Sequence, residues 1–216
     1  MKEKKDENAE AMAPHTQNQG RREDAGNGSK CVIVADADYV DGVAFHLIVN
    51  FERMLGRRIP PADLARWLEC VALDGGLREG NHEVNVVLIH DRASLKMENF
   101  VPADFGELTG KAFRSNLGEF IINAVRVEEL TTKDELVNDI VEFQLSLPDV
   151  NRLIVIPNTE EGTQWKRIAA LTSRPTPHPT DITLLAMQPL AGGRFQQEIL
   201  GYSLMQALGI HADELK

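Results

Sequence analysis

Residues 31–42 read CVIVADADYVDG. The run Cys31–Ala35 is continuously apolar and short. That pattern belongs to a strand buried on both faces, the kind that builds a parallel sheet under helices. It ends in Asp36 and Asp38, with Asp41 just beyond. In an open α/β sheet, ligands bind outside the carboxyl ends of the strands. One reading makes Asp36 and Asp38 oxygen ligands of a divalent cation, Mg2+ or Mn2+, which can hold a phosphate and activate water. The other makes Asp38 or Asp41 the N-cap of a helix that starts near residue 41.

The rest of the chain repeats the alternation. Val43, Ala44, Leu47, Ile48, Phe51, Met54 and Leu55 form a helical stripe over 41–55, stopped by Gly56. Pro60-Pro61 opens a helix over 61–73, closed by Gly75-Gly76. Residues 84–90 (VNVVLIH) are a second buried strand. Residues 91–110 are irregular, with a short helix expected over 110–117 and a strand over 120–127. Thr132 caps a helix Lys133–Leu147, whose first turn carries Asp134 and Glu135, where the macrodipole favours anions. A strand over 152–157, a helix Thr163–Leu171 and a strand over 181–187 follow. Gly192-Gly193 precedes a last helix, 194–208. The order predicts one three-layer α/β domain over 31–216, with a mainly parallel sheet of about five strands and helices on both faces.

Residues 1–30 contain no aromatic residue and no aliphatic run. They read as a disordered polar tail, because they cannot bury enough apolar surface to offset their ordering entropy. No apolar segment has the length of a membrane span. Cys31 and Cys70 sit in apolar patterns and read as reduced, buried thiols of a cytoplasmic protein. The net charge is −10. The tail holds six basic and six acidic residues, so residues 31–216 carry the whole excess as 17 basic against 27 acidic. Such a domain repels phosphates on average, which disfavours nucleic acid without removing the case for a local patch.

Two families share features with the opening stretch. VIVADADYV resembles the first motif of haloacid dehalogenase-like phosphatases, which implies Asp36 as nucleophile and Asp38 as acid/base. Those enzymes place a short loop and hairpin after the motif, whereas this chain enters a helix. Over roughly residues 31–190 the element order is similar to PIN-like domains of the NYN type, which are metal-dependent ribonucleases. That likeness implies a cation held by Asp36 and Asp38, with further acids at Asp134 and Glu160. The match departs from the family at two motifs. Tyr39 stands where Asn is expected, and Pro157-Asn158-Thr159 replaces the later acidic strand end. The implied reading is a degenerate PIN-like domain acting through a protein partner or as a homo-oligomer. The alternative is a Mg- or Mn-dependent ribonuclease or phosphohydrolase. The chain is also similar to an uncharacterised family of Bacteroidetes proteins, which implies no activity.

Other features have plainer readings. His90-Asp91 follows the second strand and reaches Asp36 only if the two strands are neighbours; otherwise it is a surface turn. Glu160-Glu161 suits a helix's first turn. The loop 189–198 with Gly192, Gly193 and Arg194 matches neither the dinucleotide nor the P-loop fingerprint.

Overall fold

β1 (Lys30–Asp36) is buried at every position after Lys30. It lies in the middle of a sheet, with a parallel strand on each side. The computed structural model describes residues 30–160 and 164–215, so the tail expected over 1–30 lies outside the described residues but for Lys30.

After β1 come α1 (Ala37–Leu55), β2 (Ala62–Asp63), α2 (Leu64–Asp74) and β3 (His82–His90). Next are β4 (Phe100–Val101), α3 (Phe105–Leu108), β5 (Lys111–Ser115), β6 (Gly118–Arg126), α4 (Lys133–Ser146) and β7 (Val150–Ile156). The described chain finishes with α5 (Gln164–Thr172), β8 (Asp181–Ala186), β9 (Gln196–Ile199), α6 (Leu200–Ala207) and a 3-10 turn, Ala212–Leu215. The main sheet has seven strands in the order β5-β6-β3-β1-β7-β8-β9. All its neighbours run parallel except β5, which is antiparallel to β6.

The period of two in β1 separates the layers. Ile33 and Ala35 face one core with Val40 of α1, Trp67 of α2 and Leu204 of α6. Val32 and Val34 face the other with Val137 and Val141 of α4 and Ile168 of α5. The three-layer α/β class is therefore the observed one, with two strands more than the five expected.

Those two strands are the edges. The helix expected over 110–117 is instead β5, which turns through Asn116-Leu117 onto β6. Gly118 permits that return. Its φ is 138°, and a Cβ there would stand 2.1 Å from the His82 carbonyl oxygen. The helix expected over 194–208 begins only at Leu200, because Gln196–Ile199 pairs with β8 as the other edge. Two further boundaries moved. Ala62-Asp63 is a short strand paired with β4, so α2 starts at Leu64 with Asp63 as N-cap. α1 starts at Ala37, four residues earlier than its apolar stripe suggests.

At the end of α2, burial first and then the nearby Glu198 carboxylate push the Asp74 pKa up to about 6. A raised carboxyl pKa means the fold favours the protonated form. Stability is therefore lost as pH rises from about 4 through 6. Asp74→Asn is expected to raise the melting temperature at pH 8 and to leave it unchanged at pH 4. An equal shift at both pH values would remove this electrostatic account.

Candidate site at the carboxyl end of the central strand

The chain steps from β1 to β3 on one side and later crosses through α4 to β7 on the other. The sheet's direction of growth therefore reverses between β1 and β7, where α/β folds open a crevice. α4 packs against β1 and β7 on its way, and its first residue, Lys133, arrives over the end of β1.

Asp36 is the last residue of β1 and the N-cap of α1, its Oδ1 accepting the Tyr39 N–H at 3.0 Å. The capping role expected of Asp38 or Asp41 thus belongs to Asp36, because α1 begins directly after β1. Asp41 is engaged elsewhere. Its Oδ1 accepts the Asn99 backbone N–H at 2.8 Å and its Oδ2 the Asn99 side-chain amide at 3.1 Å. It ties the irregular 91–104 segment to α1. Asp38 sits in the first turn, its Oδ2 accepting the Asp91 N–H at 2.7 Å. That bond exists because β3 is the neighbour of β1, with Ile89 in register with Asp36. Asp91 therefore reaches the site. His90 turns inward, buried, and stacks on Phe105 at 3.9 Å.

Lys133 joins the acids. Its Nζ lies 3.1 Å from Asp36 Oδ1, 2.9 Å from Asp38 Oδ2 and 2.9 Å from Asp91 Oδ2. A cation in a helix's first turn is disfavoured by the macrodipole, so the carboxylates must offset both that field and the loss of hydration. α4 itself starts with a full capping box, Thr132 and Glu135 satisfying each other's backbone N–H groups.

The protonation equilibria reflect this packing. Burial raises the Asp36 pKa, and Lys133 only partly counters it. At Asp38 burial also pushes upward, but hydrogen bonds from Lys133, Ser94 and the Asp91 N–H outweigh it, so the net shift is downward. Burial would lower the Lys133 pKa; Asp36, Asp38 and Asp91 reverse that and hold it above its usual value. Because the folded-state pKa of Lys133 is raised, its stabilisation is complete below the unfolded value of about 10.4 and is lost as pH rises through the folded one. Asp38 has the opposite sense, its contribution being lost as pH falls through its lowered pKa.

Of the other expected acids, Asp134 follows Lys133 in α4 and offers its carbonyl to Asn138, and its carboxylate is not among those on Lys133. Glu160 lies across the crevice near Tyr39. Burial raises the Tyr39 pKa, and after it the Glu160 carboxylate pushes the same way despite the Thr159 hydroxyl at 3.4 Å. Asp38, Tyr39, His46, Lys133, Asn158 and Glu160 line a shallow hollow of about 250 Å³. Sequence reasoning placed Asp36 and Asp38 here and gave Asp91 a conditional place. It did not find the ammonium of Lys133, whose position depends on where the crossover helix lands.

A divalent cation takes carboxylate oxygens at about 2.0–2.6 Å. Oxygens from all three acids already converge on the ammonium, so the residues present do not fit a metal while Lys133 keeps its place. Among the described residues, no group of three or more His, Cys, Asp or Glu side chains is arranged to hold one. Cys31 is buried, which pushes its thiol up to about 12 and keeps it protonated and inert. No described helix is long and apolar enough to cross a membrane.

Fold and site together define a mainly parallel α/β domain with a lysine-centred carboxylate cluster at its topological switch point. Within that class, the chain belongs to the family of unknown function DUF6621, which it matches over residues 27–215. No curated protein and no solved structure matches it.

Proposed function

We propose that the chain is a degenerate PIN-like domain whose cation seat is filled by its own Lys133, and that it acts by binding protein rather than by hydrolysis. The observation that carries this is the ammonium held within 3.1 Å of Asp36, Asp38 and Asp91. A lysine there supplies fixed positive charge to the strand end. Unlike a metal, it offers no open coordination position at which water could be activated. The parallel strands around β1 and the acids at its carboxyl end support the PIN-like resemblance. The net charge of −10 weighs against a phosphate-rich ligand.

The phosphatase reading draws some support from the same lysine, since an ammonium beside two carboxylates suits a phosphoryl group. Burial opposes it. Asp36 is 1% exposed and its Oδ1 is committed to the Tyr39 N–H and to Lys133, so it offers no line of attack. The test is incubation of the full chain with single-stranded RNA and with p-nitrophenyl phosphate, each in Mg2+ and in Mn2+. No turnover above a Lys133→Ala, Asp38→Asn double variant is expected. Metal-dependent turnover by the wild type, absent from that variant, would overturn the proposal.

A further inference from the structure

β5 is the outer strand of the sheet, and beyond it no strand of the described chain pairs. An edge of this kind presents a row of backbone N–H and C=O groups to any strand that can lie against it. Beside it an apolar groove of about 370 Å³ runs between the strand and the helices above, walled by Leu64, Pro102, Leu108, Ala112 and Phe113. Val101, next to Pro102 in sequence, is 59% exposed. Phe113 is in register with Phe120 and stacked on it at 4.6 Å, so the groove has a rigid aromatic floor.

We propose that this edge pairs with the β5 edge of a second copy, antiparallel and centred on Phe113, to make one continuous sheet across a two-fold axis. The inference rests on the reading that the domain works through protein contacts, and it names the surface and the partner. The sequence of β5, Lys111-Ala-Phe-Arg-Ser115, is compatible with itself in this register. Lys111 lies opposite Ser115, Ala112 opposite Arg114, and Phe113 opposite Phe113. No like charges lie directly opposite; Arg114 and its counterpart are diagonal neighbours across the axis, each paired with Glu119 of its own chain at 3.4 Å. The register also brings Lys111 of one copy to the hairpin end of the other, where Asn116 holds Glu79 at 2.9 Å. That pairing is attractive. The two phenylalanines on the axis extend the Phe113–Phe120 stack into a ladder of four rings, the kind of cross-strand aromatic pairing that stabilises sheets. The interface is isologous, so it closes at a dimer and leaves no further β5 edge to propagate.

The test uses the full chain in size-exclusion chromatography with light scattering and in sedimentation equilibrium. The wild type is expected at twice its 24.0 kDa chain mass. Ala112→Arg places an arginine opposite Arg114 of the other copy, twice per dimer, and should raise the dissociation constant about tenfold or more. Ala112→Glu instead places a carboxylate opposite Arg114 of the other copy, leaves the Arg114–Glu119 pair of each chain intact, and should keep or tighten the dimer. Ala112 is exposed, and unchanged circular dichroism verifies that each variant folds. A monomeric wild type at hundreds of micromolar, or a dimer indifferent to Ala112→Arg, overturns the proposal. Loss of the dimer in Ala112→Glu as well as in Ala112→Arg overturns this register. None of these outcomes touches the Lys133 reading, which is measured by metal binding and hydrolysis.

Discussion

Replacing Lys133 by alanine is expected to be among the most destabilising single changes in the protein that leave its apolar core untouched. The side chain is 18% exposed and holds Asp36, Asp38 and Asp91 together. Without it, carboxylates gathered at one strand end face each other, and Asp36 is left buried with no counter-charge. Removing one partner of such a cluster costs about 3–5 kcal/mol when it is fully buried. Asp91 is 54% exposed and can hydrate, so about 3 kcal/mol is the expected loss in urea unfolding at pH 7. Stability of the variant should rise steeply as pH falls, since protonating the carboxylates relieves their repulsion. A loss below about 1 kcal/mol would reduce the cluster to an ordinary surface ion pair.

The second large effect separates the two duties of Asp36. Asp36→Ala removes both the N-cap of α1 and one partner of Lys133. Cap loss contributes about 1 kcal/mol and the broken buried hydrogen-bonded ion pair about 2 kcal/mol more, giving roughly 3 kcal/mol in all. Asp36→Asn keeps an oxygen for the Tyr39 N–H and removes a charge whose burial raises its pKa. It should therefore cost less than Asp36→Ala, by about the 1 kcal/mol that the cap contributes. Asp38→Asn should cost more than Asp36→Asn, because the Asp38 pKa is lowered in the fold and its ionised form is the stabilising one. Chemical denaturation of the four proteins at pH 7 ranks them directly. Equal losses for Asp36→Asn and Asp36→Ala would mean that charge, not capping, is what Asp36 provides.

Much of the fold was legible because burial and period are written locally. The apolar runs of β1, β3, β7 and β8 mark strands covered on both faces, and Thr132 marks the start of α4 to the residue. The edges were harder to read. Lys111–Ser115 is short and half polar, and its partner is set by a hairpin that needs Gly118 against the His82 carbonyl. Gln196–Ile199 is strand only because β8 lies beside it; its own residues continue the helical spacing of α6. The start of α1 was misplaced because its apolar stripe begins only at Val43 and Asp36, Asp38 and Asp41 can each cap a helix, so the break at Asp36 is a matter of capping geometry rather than composition.

The site divides in the same way. Asp36 and Asp38 are visible as acids at a strand end, which any parallel sheet turns toward its ligand edge. Asp91 could be placed only with the pairing of β1 and β3, and Lys133 only with the path of the crossover helix. The meaning of the acidic stretch changes with that lysine. Three carboxylates alone describe a seat for a cation, whereas three carboxylates around an ammonium describe a seat already filled.

Whether the seat is filled can be read by isothermal titration calorimetry with Mn2+ at pH 7. The wild type is expected to give no saturable heat. Lys133→Ala, folded and at the same concentration, leaves the three carboxylates to close from ammonium distance to metal distance around the vacated point, and is expected then to bind one Mn2+, which the added Asp38→Asn change should abolish. Stoichiometric Mn2+ binding by the wild type, lost in Asp38→Asn, would show that the lysine yields its place to a metal and would refute the filled seat.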